Sequence, residues 1–319
     1  MKKFLVIFVM LAFVVGAFAL NYPRKTVTVV CPWGAGGGTD RLARFLADQL
    51  SKEFGEPFVV VNKTGGGGAV GHGAGAYANP DGYTLTLVTL EIATMHWLGL
   101  TPLTYEDFDY IAQVNVDPAG LMVKGDSKWD SAAELLVDVA MNPGEYLFSG
   151  SGAGTIWDLS RIGMLNSVGI PPDYTVWVPT TGAAPSVVEL LGGHVDAITC
   201  SIPEAWAQIE SGDLKALAIM AEERDPRFAD IPTLKEQGID WSSGTWRGIA
   251  VPNGTPQEIK DLLEEKILEI AKSDAFKEFM DKNGFGITIR DSEAFAEFVE
   301  EQDKVWKEVL RIGGYLEEE

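Results

Sequence analysis

The first part of the chain alternates short apolar runs with amphipathic stretches. Residues 26–32 form a β-branched run, and leucine and phenylalanine at helical spacing follow as far as Gly55. Residues 58–61 and 83–89 are further apolar runs, bounded by turns rich in glycine, proline and asparagine. Strands that alternate with helices in this way predict parallel α/β sheets.

The same pattern recurs in the middle of the chain. The runs 146–149, 174–178, 195–200 and 214–220 predict four more strands, and helical spacing follows the first three. Because no low-complexity linker separates the two sets of strands, two lobes joined by ordered crossings fit better than independent domains.

The C-terminal part predicts helices. Thr255–Glu258 reads Thr-Pro-Gln-Glu, which fits a capping box with proline at the first helical position. Asn283-Gly284 predicts a helix end, and Asp291 predicts the cap of a last helix.

Residues 1–19 are interpreted as a signal peptide. Two lysines precede the apolar run 4–20, and Ala17-Phe18-Ala19 has the small residues expected before a cleavage site. A membrane anchor is the alternative, but a spanning helix needs about 20 apolar residues and this run is marginal. We therefore expect an exported chain that is cleaved near Ala19.

Composition and charge exclude several classes of protein. The 319 residues include 46 Asp+Glu and 25 Lys+Arg, which gives a formal net charge of −21. Nucleic acid is excluded as a partner because no basic face is available to neutralise phosphates. A hydrophobic content of 46% excludes a disordered chain, and the length suits about two domains. The acidity opposes anions at long range, so any anion site must attract its ligand locally.

The cysteines and histidines predict no cofactor and no metal. Cys31 and Cys200 could pair in an exported protein, and two buried thiols are the alternative. His72, His96 and His194 are scattered at spacings that match no zinc motif, and we interpret each as a loop or surface histidine.

Enzyme motifs are absent or incomplete. The sequence contains no P-loop and no Gly-x-Ser-x-Gly motif. Gly66-x-Gly68-x-x-Gly71 matches the dinucleotide fingerprint, but the acidic residue needed at a strand end about 20 positions later is missing. We expect no enzymatic activity. The alternative is a secreted enzyme that uses its glycine loops for a phosphate ester or a nucleotide.

Glycine-rich turns before helices are the main candidate binding feature. Residues 36–40 and 152–155 form two such turns in different parts of the chain. A helix start carries unpaired N–H groups and partial positive charge, so it can hold a carboxylate or a phosphate without a basic side chain. Two lobes facing each other at their strand ends would enclose a small anion. The alternative is that the glycines only make tight turns.

The order of these motifs resembles the periplasmic receptors of tripartite tricarboxylate transporters, the TctC or Bug family. The resemblance covers nearly all of the chain after the predicted signal peptide. It is carried by Pro32-Trp33-x-x-Gly36-Gly37-Gly38-Thr39-Asp40, Pro80-Asp81-Gly82-Tyr83-Thr84-Leu85, Ser149-x-x-Gly152-x-Gly154-Thr155 and Trp246-x-Gly248 before Pro252-x-Gly254-Thr255-Pro256.

This resemblance implies an α/β fold of the two-lobed periplasmic-binding-protein type. Each lobe would be a mainly parallel sheet flanked by helices, with the ligand in the interlobe cleft. Residues 20–122 and 246–319 would form lobe one, and residues 123–245 lobe two. The two crossings would form a hinge that closes on the ligand.

The resemblance also implies a periplasmic location and partners. The ligand would be a small organic carboxylate, and the receptor would deliver it to integral-membrane transporter subunits. We expect a monomer. A receptor that presents its closed form to a signalling partner is the alternative.

Carried over by position, the resemblance assigns ligand-binding residues in both lobes. Backbone amides and ordered water would hold the proximal carboxylate, and Trp33 would form a wall of the pocket unless it is a core aromatic. The expected ligand-binding residues are Trp33, Gly36, Gly37, Gly38, Thr39, Gly67, Gly68, Thr89 and Glu91 in lobe one, and Ser149, Gly152, Thr155, Asp158, Thr181 and Gly182 in lobe two.

Two acidic positions bear on the substrate. Asp158 stands where the family often has histidine, and Glu91 follows the third strand within reach of the cleft. Acidic groups would repel a distal carboxylate and suit an ammonium or a hydroxyl group. We therefore expect a carboxylate that is not a simple tricarboxylate, unless both side chains point to solvent. Asp40 is expected to cap its helix.

Overall fold

The structure is a computed structural model that describes residues 22–316. The predicted signal peptide, residues 1–19, lies outside the described residues. No helix between residues 22 and 316 is long and apolar enough to cross a membrane.

The described part of the chain contains ten strands and nine α-helices. The strands are β1 (Val27–Cys31), β2 (Phe58–Asn62), β3 (Thr84–Thr89), β4 (Phe108–Lys124), β5 (Tyr146–Ser149), β6 (Thr175–Trp177), β7 (Ala197–Ser201), β8 (Leu214–Ile219), β9 (Gly244–Pro252) and β10 (Ile287–Arg290). The helices are α1 (Gly38–Phe54), α2 (Ala69–Ala76), α3 (Ala132–Met141), α4 (Ile156–Ser167), α5 (Ala183–Gly192), α6 (Ile202–Glu210), α7 (Gln257–Ala271), α8 (Asp274–Asn283) and α9 (Ser292–Ile312).

Two sets of parallel strands form the centres of two lobes. In lobe one β1 pairs in parallel with β2 and β3, and in lobe two β5 pairs in parallel with β6 and β7. The helices that follow these strands start at their carboxyl ends, as expected for parallel α/β units. The two-lobed α/β fold predicted from the sequence is confirmed.

The long strand β4 connects the lobes and adds antiparallel pairing to both. Its residues 108–118 pair with β9, and its residues 119–123 pair with β7. The change of partner lies between Pro118 and Ala119, a few residues before the predicted lobe boundary at residue 122. The lobe boundaries at residues 122 and 246 stay predictions.

Each lobe has its own buried thiol. Cys31 belongs to the apolar cluster built around β1 and α1, whereas Cys200 belongs to the cluster that fills lobe two. Both cysteines are buried and free, so the structure has the two buried thiols and no Cys31–Cys200 disulfide.

Two of the helix ends predicted from the sequence are confirmed, and one is wrong. Gly55 ends α1 in the left-handed conformation, and Asp291 caps α9 by accepting the amide of Ala294, both as predicted. The predicted capping box at Thr255 is wrong. Pro256 is extended and precedes the helix, so the Thr255 hydroxyl lies outside α7 and donates to the carbonyl of Pro252 instead.

Candidate functional site

A cavity of about 290 Å³ lies between the lobes. This volume is at the low end of the range for small-molecule sites. Lobe one contributes the turn before α1, the end of β3 and part of β9, and lobe two contributes the starts of α4, α5 and α6. The lining residues are Trp33, Gly34, Ala35, Gly36, Gly37, Gly38, Thr39, Arg41, Thr89, Glu91, Ser151, Ile156, Trp157, Thr181, Gly182, Ala183, Ala184, Pro185, Glu204, Thr245 and Arg247.

Three helices begin at this cavity without a side-chain cap. The N-cap residues of α1, α4 and α5 are Gly37, Thr155 and Gly182, and the side chain of none of them bonds a free helical amide. An uncapped helix start leaves backbone N–H donors unpaired and carries partial positive charge. The cavity therefore presents anion-binding groups from both lobes.

Asp40 stabilises the glycine turn before α1 by accepting a hydrogen bond from its backbone. Gly36 has a φ of 84°, a conformation that favours glycine, and its amide donates to the Asp40 carboxylate at 2.9 Å. The expectation that Asp40 caps the helix is wrong, because Gly37 is the N-cap and Asp40 lies in the first turn. Burial alone would raise the pKa of Asp40, but hydrogen bonds from Arg44, the Gly36 amide and Asn62 outweigh it and lower the pKa.

Gly38 and Thr39 carry amide donors at the start of α1 that remain for a ligand. Within residues 22–316 neither amide donates a backbone hydrogen bond, whereas the Gly36 amide is taken by Asp40. Both residues line the cavity. The start of α1 thus offers a pair of adjacent N–H groups, an arrangement suited to a carboxylate.

A chain of hydrogen bonds leads from the aromatic wall to a buried carboxylate. The Trp33 indole Nε1 donates to the Thr89 hydroxyl at 3.1 Å, and that hydroxyl donates to Glu91 Oε2 at 2.6 Å. Glu91 lines the cavity but is only 2% exposed, so the alternative that it points to solvent is wrong. Burial raises the pKa of Glu91, and hydrogen bonds from Thr89, its own amide and the Ile156 amide only partly offset this rise.

Arg247 brings a positive charge to the cavity. Its Nε donates to Thr39 Oγ1 at 3.0 Å, and its Nη1 donates to Asn115 and to Asp117 at 2.5 Å each. A Cβ atom built on Gly38 would lie 3.0 Å from Arg247 Nη2, so this nitrogen lies directly beside the helix start. Nη2 makes no side-chain hydrogen bond within the part of the chain that the structure describes. It is therefore available to an anion in the cavity.

Arg41 and Glu204 also line the cavity, from opposite lobes. Arg41 Nη1 donates to Asn283, while its Nε is buried and has no partner within residues 22–316. Glu204 accepts hydrogen bonds from the amide and the hydroxyl of Ser201. Burial raises the pKa of Glu204, and the charge of Arg247 partly offsets this rise.

Arg41, Glu204 and Arg247 are not among the ligand-binding residues predicted from the sequence. The one available signal was at Arg247, which is a lone charge in the otherwise uncharged segment 244–252, inside the Trp-x-Gly motif. The cavity lining contains charged side chains of both signs, Arg41, Arg247, Glu91 and Glu204. The glycine turns alone predict an anion site without basic side chains, so this expectation is wrong.

The structure divides the predicted site residues into two groups. Those that line the cavity are Trp33, Gly36, Gly37, Gly38, Thr39, Thr89, Glu91, Thr181 and Gly182. Those outside its lining are Gly67, Gly68, Ser149, Gly152, Thr155 and Asp158. Direct contact of either group with a ligand stays a prediction.

The polar side chains outside the lining are saturated by the protein itself. The Ser149 hydroxyl donates to the Val178 carbonyl at 2.7 Å, and the Thr155 hydroxyl donates to the Gly152 carbonyl at 2.7 Å. Local hydrogen bonds thus use the donor of each of these two hydroxyls.

Asp158 is fully buried and does not point to solvent. It accepts the Gly154 amide at 2.9 Å and Arg161 Nη2 at 2.7 Å, and it also accepts a hydrogen bond from the Tyr315 hydroxyl. These contacts tie the glycine turn of lobe two to α4 and to the segment after α9.

His72 corrects one expectation. It is fully buried and not a loop or surface residue, because α2 packs its glycine-rich face closely against β1 and β3. Its Nδ1 lies 2.9 Å from the Gly68 carbonyl, and its Nε2 accepts the Thr89 amide at 3.3 Å. Burial lowers the pKa of His72 to about 4, so the ring is neutral and donates from Nδ1. His72 thereby links the second glycine turn to Thr89 at the cavity.

Comparison with known proteins gives consistent matches. The family model "Tripartite tricarboxylate transporter family receptor", TctC, matches residues 42–314. Protein BugT of Bordetella pertussis is 31% identical over 303 residues, which are 92% of this chain and 91% of BugT. A solved R. palustris protein with adipate is 27% identical with a TM-score of 0.84, covering 92% of this chain and 99% of that protein. MatC from Rhodopseudomonas palustris with bound malate is 26% identical with a TM-score of 0.82, covering 91% of this chain and all of MatC.

Proposed function

The chain belongs to the tripartite tricarboxylate transporter receptor family, and on that premise we propose that it binds a small carboxylate in the interlobe cavity and delivers it to membrane transporter subunits. Members of this family are periplasmic solute-binding receptors, and two structural neighbours hold adipate and malate. The relatives are receptors and not enzymes, which supports a binding function without turnover.

One observation carries the proposal: uncapped helix starts from both lobes meet at the same small cavity. On the lobe-one side, the amides of Gly38 and Thr39 and Nη2 of Arg247 are available donors. On the lobe-two side, Ala183 and Ala184 begin α5 and line the cavity. A carboxylate between these groups would accept charge-assisted hydrogen bonds, which are stronger than neutral ones.

Binding would also stabilise the closed arrangement of the lobes. A ligand that contacts α1 and α5 together makes its full set of contacts only when the cleft is closed, so it shifts the population towards the closed form. The closed form is the state that we expect the transporter subunits to recognise.

The net charge of −21 does not contradict an anionic ligand. Salt screens surface charges over about 8 Å at physiological ionic strength, so the general field acts weakly inside a closed cleft. The local donors and Arg247 determine the potential that the ligand meets there.

The experiment is a binding screen on the exported chain purified from the periplasm. Native mass spectrometry of this protein identifies any molecule that co-purifies, and isothermal titration calorimetry then measures a panel of one-, two- and three-carboxylate compounds. We expect stoichiometric binding of at least one carboxylate with no chemical change of the compound. Turnover of a phosphate ester or a nucleotide, or a complete absence of carboxylate binding, would overturn the proposal.

A further inference from the structure

We propose that Glu91 selects the ligand, and that the carboxylate bound in this cleft carries a hydroxyl or an ammonium group that donates a hydrogen bond to Glu91. The inference rests on the proposed function, because it concerns the same cavity and goes further only in the chemical class of the ligand. It makes Glu91 a specificity-determining residue.

The first step is the position of the carboxylate. Glu91 lines the cavity yet is almost fully buried, so bulk water does not reach it. A ligand in the cavity would contact it directly. The Thr89 hydroxyl holds Oε2 at 2.6 Å, and Trp33 in turn orients that hydroxyl. These two contacts fix the carboxylate in one orientation before any ligand arrives.

The second step is the start of α4 in the opposite lobe. The Ile156 amide, the first of α4, lowers the pKa of Glu91 against the larger effect of burial, so the start of α4 lies close to this carboxylate. Just before it, the Gly154 amide donates to Asp158. Glu91 and Asp158 therefore place two of the chain's own carboxylates at the start of α4, where a ligand carboxylate would compete with them.

The third step is the polarity that results. The cavity lining carries the donors of Gly38, Thr39 and Arg247, and Glu91 adds a carboxylate acceptor to the same lining. A ligand carboxylate beside the ionised Glu91 would place two like charges together in a buried site, which is strongly unfavourable unless Glu91 first takes up a proton. A hydroxyl or an ammonium group there would instead complete a buried hydrogen bond, and an apolar group would leave the acceptor unpaired.

The ligand is therefore expected to place its carboxylate at the amides of Gly38 and Thr39 and its hydroxyl or ammonium group at Glu91. This requirement does not fix the length of the ligand or exclude a second carboxylate near the start of α5.

The test compares compounds that share a carbon skeleton and differ only at C2. Three series are titrated calorimetrically: propionate, lactate and alanine; succinate, malate and aspartate; adipate, 2-hydroxyadipate and 2-aminoadipate. Each is measured with the wild-type chain, E91Q and E91L. E53Q is the matched control, since it neutralises an exposed carboxylate of lobe one that does not line the cavity.

In the series that fits the cavity, we expect the wild type to bind the hydroxyl or ammonium member about tenfold or more tightly than the unsubstituted member. E91L should abolish this preference, and E53Q should leave it intact. E91Q keeps an uncharged acceptor, so it should lose any preference for ammonium while retaining affinity for hydroxyl. If E91L does not fold, the ammonium members decide with E91Q: loss of the preference for ammonium supports the role of Glu91, and retention of that preference overturns it.

Equal binding of the unsubstituted members by the wild type overturns the role of Glu91 but leaves the proposed function standing. An unchanged preference in both Glu91 variants overturns it in the same way. If no member of any series binds, this inference is overturned, and the broader carboxylate panel decides separately whether the proposed function fails as well.

Discussion

Arg247 Nη1 donates to Asp117 Oδ2 at 2.5 Å, and this buried ion pair joins the two long strands at the point where the lobes meet. Arg247 lies on β9, Asp117 lies on β4, and their side chains are 3% and 1% exposed. The same guanidinium also contacts Thr39 at the start of α1. A single residue therefore connects the strand crossing, the glycine turn and the cavity.

The first prediction concerns this pair. Arg247→Met should lower the free energy of unfolding by about 3–5 kcal/mol, because it leaves Asp117 buried without its partner. It should also weaken carboxylate binding, since the Nη2 donor is lost. Asp117→Asn should destabilise the fold but keep binding, because Arg247 retains its charge. Urea unfolding and calorimetry measure both quantities.

The control for this prediction is the exposed pair of Lys52 and Asp48. Lys52→Met should change the free energy of unfolding by no more than about 0.5 kcal/mol, as is usual for surface ion pairs. A variant Asp117→Asn that binds more weakly than Arg247→Met would argue against a direct role of Arg247.

The second prediction concerns access to the helix start. Gly37 has a φ of −71°, which any residue adopts, and a Cβ atom there would lie 3.5 Å from its nearest neighbour, the Gly34 carbonyl. Gly37→Val should therefore fold normally but place methyl groups where a carboxylate would approach, and binding should weaken about tenfold or more. Gly73→Ala, on α2 away from the cavity, is the matched control. Unchanged affinity in a folded Gly37→Val protein would place the carboxylate elsewhere.

The third prediction concerns acid stability. The pKa of His72 falls from an ordinary value of 6.5 to about 4 in the folded chain, because the ring is buried. The stability that neutral His72 contributes is fully present above pH 6.5 and is lost as the pH falls from 6.5 to about 4. In this interval the ring takes up a proton in the unfolded chain but not in the folded chain. Between pH 7 and pH 5 this loss amounts to about 2 kcal/mol.

His72→Gln removes the titrating group and should flatten this dependence relative to the wild type. Urea unfolding at several pH values between 7 and 5 measures the difference between the two proteins, so that titrations they share cancel. Parallel curves for both proteins would show that His72 does not titrate in this way.

The fourth prediction concerns Glu91, whose pKa is raised by burial. Arg247, which also lines the cavity, is the charged group that acts on Glu91, and its positive charge lowers the pKa of Glu91. The stability that the protonated carboxyl contributes is fully present below pH 4.5, the ordinary pKa. It is lost as the pH rises through the raised pKa of the folded chain. The free energy of unfolding of E91Q should therefore rise relative to wild type as the pH increases. A difference that stays constant with pH would contradict the assignment.

Sequence reasoning succeeded where the signal is local. The turn 36–39, the helix end at Gly55 and the cap at Asp291 each depend on a few consecutive residues with a defined backbone requirement. The Thr255 prediction failed because the residue types of a capping box do not show on which residue the helix starts.

The parts of the cavity that sequence reasoning missed come from distant segments. Arg247 and Glu204 reach the cavity only because β9 and α6 bring them there, and no local pattern encodes that meeting. Ser149 and Thr155 show the opposite case. Their glycine-rich surroundings are typical of a binding loop, but their hydroxyls are satisfied within lobe two.

The central claim is that a carboxylate lies at the helix starts between the lobes. A crystal structure of the protein with the ligand that co-purifies with it tests this claim most directly. The account predicts carboxylate oxygens at about 2.7–3.2 Å from the amides of Gly38 and Thr39, with the rest of the ligand reaching Glu91. A ligand without a carboxylate, or one whose carboxylate contacts neither the start of α1 nor Arg247, would contradict it.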